Sequence, residues 1–206
     1  MTFLGKVMAL FPAFHVFMVV SCTVGFVVEP SAVSFCVIPL MLYIFPLLIF
    51  QLHNRMYPLE EGTFSIVQGY SPWFGTHMIQ QNFISFKWTE EILRTIPGLF
   101  SLWLRAWGAK VGKNVYFAPH FEIADRSLVD VADNVIFGYG VRASSHIISA
   151  NKELGGMAVY IRCITVEKGA LVGALCQVGP GSLVKRNAVV RVGTVLITDE
   201  VVEAKK

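Results

Sequence analysis

A six-residue period dominates the C-terminal part of the chain and restricts the folds that it can adopt. Aliphatic residues occupy every sixth position from 166 to 196, and a small residue follows most of them four places later. The aliphatic positions are Val166, Val172, Val178, Val184, Val190 and Leu196, and the small residues are Ala170, Cys176, Ser182, Ala188 and Thr194. A helix repeats near 3.6 residues and a single strand near 2, so neither explains this period. A three-sided solenoid explains it, because successive hexads place one aliphatic residue on each side in turn.

An earlier block follows the same rule less strictly. Its large apolar positions, with a slip of two residues after the third, are Val111, Phe117, Ile123, Val131, Phe137 and Ala143. We interpret the slip as an irregular turn inside the domain. Residues 148–163 break the period between the two blocks and predict an excursion from the coils, which is where solenoids place functional residues.

This pattern resembles the hexapeptide-repeat acyltransferases across residues 108–196. The resemblance implies a left-handed parallel β-helix and a homotrimer with active sites between the subunits. It also implies that the acceptor attacks a thioester directly, without an acyl-enzyme intermediate.

A further resemblance involves residues 102–115, which read LWLRAWGAKVGKNV, and residues 141–146, which read VRASSH. Both segments are similar to parts of the membrane-embedded terminal domains of poly-amino-acid synthetases of the ε-poly-lysine type. This resemblance favours an aminoacyl thioester on a carrier domain as the donor, with acyl-coenzyme A as the alternative.

The N-terminal part of the chain is apolar enough to lie in a membrane. The whole sequence is 54% hydrophobic and only 15% charged, against about 25% charged for a typical soluble domain, which argues against disorder and nucleic-acid binding. Residues 7–28 and 30–54 carry no charge, and each stretch has the roughly 20 residues that cross a bilayer. We expect a transmembrane helical hairpin, with a cleaved signal peptide as the alternative for the first stretch.

The distribution of basic residues predicts the orientation of this hairpin. Lys6 precedes the first stretch and Arg55 follows the second, whereas the connection around Glu29 has no basic residue. The positive-inside rule therefore places both ends, and the domain that follows, in the cytoplasm. His15 lies within the first stretch, and we expect it to serve helix packing.

Residues 72–107 combine many aromatic side chains with sparse cations, as interfacial helices do. A helix is expected to start at Thr89, a suitable N-cap, and a second one to run from Leu99 to Trp107. These helices lie on the membrane surface, pack on the next domain, or do both. The predicted domains are a transmembrane hairpin (1–56), an interfacial segment (57–107) and a β-helix acyltransferase domain (108–206).

His146 is the candidate catalytic residue. It stands directly before the excursion, and an imidazole suits a general base because its pKa lies near the working pH. The alternatives are a surface histidine, a second cleft histidine at His120, and a serine nucleophile at Ser144 or Ser145. Asp125, Asp130 and Asp133 are candidates to orient a histidine or to bind an ion, but we expect them to be solvated, like most carboxylates at coil turns.

Metal and disulfide chemistry are not expected. The repeat region has only His120 and His146, so a three-histidine zinc site cannot form within it. The four cysteines form no C-x-x-C pair and are expected to be free.

Glycines and cations on the last coils are the predicted donor-binding residues. The resemblance implies that backbone amides at Gly173 and Gly179 hold the thioester or the pantetheine arm. It also implies that cations hold the phosphates of coenzyme A or of a carrier's phosphopantetheine. These cations are Lys185, Arg186 and Arg191, together with Lys168. Turn geometry for the glycines, a solvated face for the cations, and binding of anionic lipid by the cations are the alternatives.

The sequence therefore predicts a membrane-anchored, trimeric acyltransferase that moves an acyl group from a thioester to an amine or a hydroxyl. Acyl-coenzyme A or a phosphopantetheine thioester serves as co-substrate, without a permanently bound cofactor. A carrier or synthetase protein is a further expected partner. The alternative is a non-catalytic membrane scaffold built on the same repeat.

Overall fold

The apolar N-terminal sequence forms two long helical stretches in the computed structural model, which describes residues 2–204. Helix α1 is Phe3–Val28, and the second stretch consists of α2 (Ala32–Pro39), a π-helical turn (Leu40–Ile44) and α3 (Phe45–Met56). Both stretches are long and apolar enough to cross a membrane, judged by length and composition alone. Contacts divide the described residues into two units. The first comprises the chain up to Leu59 with Ile66–Asn82, and the second comprises Glu60–Ser65 and the chain from Phe83 onward.

A buried histidine links the helices of the first unit. The π-helical turn pairs the Phe45 N–H with the Leu40 carbonyl, and the Met41 carbonyl accepts from His15 Nε2 at 3.1 Å. His15 Nδ1 then accepts from the Asn82 amide at 3.0 Å, and the same amide donates to the Pro12 carbonyl. His15 is 1% exposed, so these bonds satisfy a polar ring in an apolar surrounding.

Three further helices follow. Helix α4 is Pro72–Ser85, α5 is Trp88–Arg94 and α6 is Leu99–Ala106. Helix α5 starts at Trp88, so Thr89 lies inside the helix and not at the expected N-cap position. The Thr89 hydroxyl donates to the Phe86 carbonyl, so it does not act as an N-cap. The α6 start at Leu99 agrees with the pattern.

The described strands of the repeat form three parallel sheets, one for each side of a solenoid. Face 1 contains β2 (Lys110–Val111), β5 (Val129–Val131), β10 (Ile164–Val166), β13 (Leu183–Val184) and β16 (Val201–Val202). Face 2 contains β3 (Tyr116–Phe117), β6 (Ile136–Phe137), β11 (Leu171–Val172) and β14 (Val189–Val190). Face 3 contains β4 (Glu122–Ile123), β7 (Arg142–Ala143), β12 (Gln177–Val178) and β15 (Val195–Leu196).

The second residue of each short repeat strand points inward, which confirms the predicted hexads. The six aliphatic residues from Val166 to Leu196 are at most 4% exposed. Parallel pairing of Val166 with Val184, and of Val172 with Val190, stacks equivalent residues of successive coils. This arrangement fits the predicted left-handed β-helix.

Helices α5 and α6 cover the start of this solenoid. The Phe100 ring lies 5.0 Å from the Phe117 ring, measured between centroids, and Leu104 is 1% exposed. Trp103 and Trp107 are buried beside them. A solenoid needs such a cover because its first coil would otherwise expose its interior to water.

The interruption between the two blocks is a β-hairpin. Strand β8 (His146–Asn151) pairs antiparallel with β9 (Gly156–Ile161), and β9 pairs on its other side with β1 (Gly62–Ser65). The Ser65 hydroxyl donates to the Leu154 carbonyl at 2.7 Å and ties β1 to the hairpin tip. Pairing of β10 with β5 then resumes the coils.

Most coil corners contain one residue with positive φ. Asn114, Asn134 and Asn187 occupy this position at φ values between 55° and 58°, and glycine occupies several others. Leu175 has φ 59°, although leucine has no side-chain group that favours this conformation. Its side chain is 58% exposed, so little burial offsets the strain.

We expect Leu175→Asn to stabilise the protein by about 1 kcal/mol, because asparagine tolerates positive φ. The melting temperature should rise by roughly 2–4 °C. Leu175→Ala is the matched control, since it removes the same side chain without the asparagine preference. Equal melting temperatures for the two variants would contradict the strain at residue 175.

Candidate active site

One corner of the β-helix contains the candidate catalytic residue, His146, and the carboxylate that contacts it. We call the turns from face 1 to face 2, from face 2 to face 3, and from face 3 back to face 1 the first, second and third corners. Asp125 lies on the third corner of the first coil, and Gly179 lies on the same corner two coils later. His146 follows the third corner of the second coil as the first residue of β8.

The His146 imidazole is held by a buried carboxylate. Its Nδ1 lies 2.6 Å from Asp125 Oδ2, and the same oxygen accepts from the Ser145 backbone N–H at 3.1 Å. Asp125 is 2% exposed, so the expectation of a solvated carboxylate is wrong. A carboxylate that accepts from Nδ1–H fixes the tautomer in which Nε2 carries the lone pair.

The two neighbouring serines do not have the geometry of a nucleophile activated by this histidine. The Ser145 hydroxyl is buried and donates to the Leu128 carbonyl at 2.7 Å. The Ser144 hydroxyl donates to the His146 carbonyl at 3.0 Å and lies 3.5 Å from Nδ1, the nitrogen that is bonded to Asp125. Neither serine hydroxyl is within hydrogen-bonding distance of His146 Nε2.

A small cavity of about 170 Å³ adjoins this corner. Ser144 and Ala143 form one wall, and the side chains of Lys87, Glu122 and Arg142 form another. Lys87 and Arg142 both pair with Glu122, so two cations share one carboxylate at this wall. The cavity adjoins the Ser144 side of the histidine and is not centred on the imidazole.

Arg126, the residue after Asp125, enters the protein interior. It is 0% exposed, and its Nε and Nη2 donate to the two carboxylate oxygens of Glu90 at 2.7 and 2.9 Å. Trp103 Nε1 donates to the same carboxylate at 2.8 Å. This bidentate pair joins α5 to the turn that carries Asp125. In the sequence, the only signal for this pair is the two-residue slip of the period between Ile123 and Val131, the stretch that contains Arg126.

The predicted donor-binding residues lie on three different corners of the chain. Gly179 is on the third corner with the His146–Asp125 pair, whereas Gly173 and Arg191 are on the second and Lys185 and Arg186 on the first. Lys185 Nζ is 3.9 Å from Glu167 Oε1, and the Arg186 backbone N–H donates to Glu167 Oε2. Within one chain, Gly179 is therefore the only predicted donor-binding residue on the same corner as His146.

Glycine at 173 and 179 has a structural cause. A Cβ at Gly179 would lie 1.7 Å from the Ile197 carbonyl oxygen, and one at Gly173 would lie 2.7 Å from the Val192 nitrogen. Close stacking of the next coil therefore excludes a side chain at both positions. Their role in donor binding remains a prediction.

His120 is on the second corner, away from the His146–Asp125 pair. Its side chain is 59% exposed, and its ring packs against Tyr139 with 5.1 Å between centroids. Its backbone N–H donates to Glu91. His120 therefore has the environment of a surface residue at a turn with positive φ.

The four cysteines are free thiols. Burial raises the pKa of the Cys163 thiol to about 11, with smaller contributions from Glu61 and Asp130. Burial also raises the pKa of the Cys176 thiol. Both groups are therefore protonated near neutral pH and are weak nucleophiles.

No family model matches the chain, and no curated protein matches its sequence. A hexapeptide-repeat-containing acetyltransferase from Vibrio cholerae is similar in structure, with 12% identity, 57% of this chain and 82% of that chain covered, and a TM-score of 0.38. A galactoside acetyltransferase in complex with coenzyme A has 14% identity, coverage of 61% and 82%, and a TM-score of 0.35. A maltose O-acetyltransferase from Clostridium difficile has 13% identity, coverage of 62% and 88%, and a TM-score of 0.31.

These similarities concern the repeat fold, and the chemistry of this chain has to be argued from its own residues. The resemblance of residues 102–115 to poly-amino-acid synthetases stays a prediction.

We expect Glu90→Gln to destabilise the protein by about 3–5 kcal/mol, because the Arg126 charge would stay buried without its carboxylate. Thermal unfolding of the full-length protein in detergent measures this as a melting temperature lower by roughly 10 °C. Lys110→Met breaks the exposed Lys110–Asp130 pair, whose nitrogen and oxygen are 3.5 Å apart, and serves as the control with a change under about 1 kcal/mol. Similar losses in both variants would contradict the importance of the buried pair.

Proposed function

We propose that this protein is a membrane-anchored acyltransferase that moves an acyl group from a thioester donor to an amine or a hydroxyl. The observation that carries the proposal is the 2.6 Å contact between His146 Nδ1 and the buried Asp125 carboxylate at a corner of the β-helix. The resemblance to hexapeptide-repeat acyltransferases supplies the reaction class, and the oriented imidazole supplies the base that this reaction needs.

In the proposed reaction, His146 Nε2 removes the proton from the acceptor nitrogen or oxygen while that atom attacks the thioester carbonyl carbon. The tetrahedral intermediate collapses, the carbon–sulfur bond breaks, and the imidazolium returns its proton to the leaving thiolate. Asp125 stabilises the imidazolium between these two steps. The reaction needs no covalent intermediate on Ser144, Ser145 or a cysteine.

We propose that the donor binds between neighbouring copies of the chain. Lys185, Arg186 and Arg191 suit the phosphates of coenzyme A or a carrier-bound phosphopantetheine, but they lie on other corners than His146. In a trimer, the first or second corner of one copy approaches the third corner of the next. The N–H groups of Gly173 and Gly179 donate to the Val190 and Leu196 carbonyls of the next coil, so we propose contact with the pantetheine arm at these glycines and not donation from their amides.

The outer surface of face 2 supports self-association. Its outward side chains are exposed apolar residues, 37–60% accessible, whereas face 1 carries Lys110 and Asp130 and face 3 carries Glu122 and Arg142 at equivalent positions. The outward residues of face 2 are Tyr116, Ile136, Leu171 and Val189. Such a row in successive coils is a suitable contact between identical subunits.

The membrane anchor rests on the apolar N-terminal stretches. Exposed side chains such as Phe3, Leu10 and Phe17 suit a hydrocarbon environment, and both stretches have spanning length. By the positive-inside rule, the basic residues Lys6 and Arg55 favour a cytoplasmic location for both ends of this anchor. We infer that the acceptor is presented at the membrane.

We expect His146→Ala to lower acyl transfer by about 100-fold or more, since general-base catalysis contributes at least this factor. Asp125→Asn should lower it by roughly 10- to 100-fold, because an amide orients and stabilises the imidazolium less well. Release of free thiol is followed with full-length protein in detergent, a panel of acyl-coenzyme A donors, a carrier-bound aminoacyl thioester, and amine and hydroxyl acceptors.

His120→Ala is the matched control, and its rate should stay within about twofold of the unmodified protein. Equal rates for His146→Ala and the unmodified protein would refute the assignment of the base. Absence of thiol release with every donor would favour the non-catalytic scaffold.

We expect Val189→Glu to convert the trimer into monomers, because each apolar contact would bury an unpaired charge. Light scattering of the detergent-solubilised protein measures the molecular mass. Gln177→Glu adds the same charge on face 3 and should leave the trimer intact. A trimeric Val189→Glu protein would exclude face 2 as the contact.

A further inference from the structure

The helices that cover the β-helix have a second apolar surface that faces away from it. Their inner surface buries Leu93, Phe100 and Trp103. The outer surface exposes large apolar side chains, between 46% and 59% accessible. These are Phe86, Trp88, Ile92, Ile96 and Leu102. A helical layer that is apolar on both sides is unusual on a surface that faces only water.

A cavity of about 590 Å³ lies beside this outer surface and is lined by cations. Arg105 and Lys113 stand at its rim, Arg94 lines its inner wall, and no carboxylate contributes to its lining in residues 2–204. The α6 N-terminus at Gly98 opens into it, without a side-chain cap on the first N–H groups. The positive end of the helix dipole adds to the three cations.

Arg94 has unused donor capacity in this wall. Its two terminal nitrogens donate to Glu91 Oε1 and the Phe121 carbonyl, each at 2.7 Å, but the buried Nε has no partner in the described residues. Its side chain is 9% exposed. Burial lowers the pKa of this guanidinium, whereas Glu91 and Glu90 raise it. An anion in the cavity would add a further negative charge beside the guanidinium.

We propose that this surface docks on an anionic phospholipid bilayer, with the headgroup phosphate in the cavity and the outer side chains of α5 and α6 in the acyl region. Charge complementarity selects this occupant, because the cavity has only positive lining charges and Ile96, one of the exposed aliphatic residues of the outer surface, is part of its lining. The docking is separate from the N-terminal anchor, since its residues belong to the second unit. It also differs from the proposed donor-binding cations, which lie on later coils.

Tryptophan fluorescence tests this surface selectively. Of the four tryptophans, all within residues 2–204, Trp73, Trp103 and Trp107 are at most 7% exposed, whereas Trp88 is 58% exposed. Full-length protein is placed in nanodiscs of phosphatidylcholine alone or with 30% phosphatidylglycerol, with brominated acyl chains as the quencher. We expect strong quenching in the anionic discs, and its loss in Trp88→Phe.

Lys113→Glu should raise the phosphatidylglycerol fraction needed for half-maximal quenching by roughly fivefold or more. Each cation near an anionic membrane surface changes the binding affinity by about this factor. Lys110→Glu is the matched control, because Lys110 is an exposed cation on face 1 outside the cavity, and its quenching should be unchanged. Quenching of the same strength with and without phosphatidylglycerol, and unchanged in Lys113→Glu, would overturn the headgroup site.

Absent quenching, with the protein still co-purifying with the discs, would overturn the docking and indicate a protein partner for this surface. Co-purification itself reports on the anchor, and thiol release reports on acyl transfer. A failure of the membrane anchor or of acyl transfer is therefore recognised separately from a failure of the docking.

Discussion

The buried pair of Arg126 and Glu90 is the interaction on which the second unit depends. It places a guanidinium at 0% exposure and satisfies the carboxylate with three donors, two from Arg126 and one from Trp103. Such a pair costs desolvation energy and is tolerated because its geometry is bidentate. In return, it fixes α5 and α6 over the open first coil, where the Phe100 and Phe117 rings meet.

The same turn supports both stability and the proposed chemistry. The two-residue slip after Ile123 lengthens one corner, and this extra length contains Asp125 and Arg126. One side chain turns to His146 and the other to Glu90. Charged residues at regular corners, such as Lys185 and Arg186, are not buried, whereas Asp125 and Arg126 are 2% and 0% exposed, and this burial distinguishes the lengthened corner from its neighbours.

The hexads were readable from sequence because each inward residue is determined by its own six-residue unit. The Asp125–His146 pair was not readable from sequence, because carboxylates at coil turns are usually solvated and Asp125 Oδ2 instead contacts two consecutive residues, the Ser145 N–H and His146 Nδ1, where the chain leaves the coil. The pairing of β1 with β9 was not readable, because a four-residue strand at Gly62–Ser65 has no period of its own. The start of α5 at Trp88 was not readable from Thr89, because the Thr89 hydroxyl donates to the Phe86 carbonyl, which precedes the helix, and does not cap a backbone N–H.

The pairing of β1 with β9 also sets an order of assembly. Gly62 pairs with Ile161, so the first strand of the second unit is synthesised about 100 residues before its hydrogen-bonding neighbour. At the usual 5–20 residues per second, the strand edge waits roughly 5–20 seconds for that neighbour during translation. Its length of four residues limits the risk that another chain pairs with it first. Strand β1 therefore pairs with the β8–β9 hairpin only after the coils that contain β2 to β7 have been synthesised.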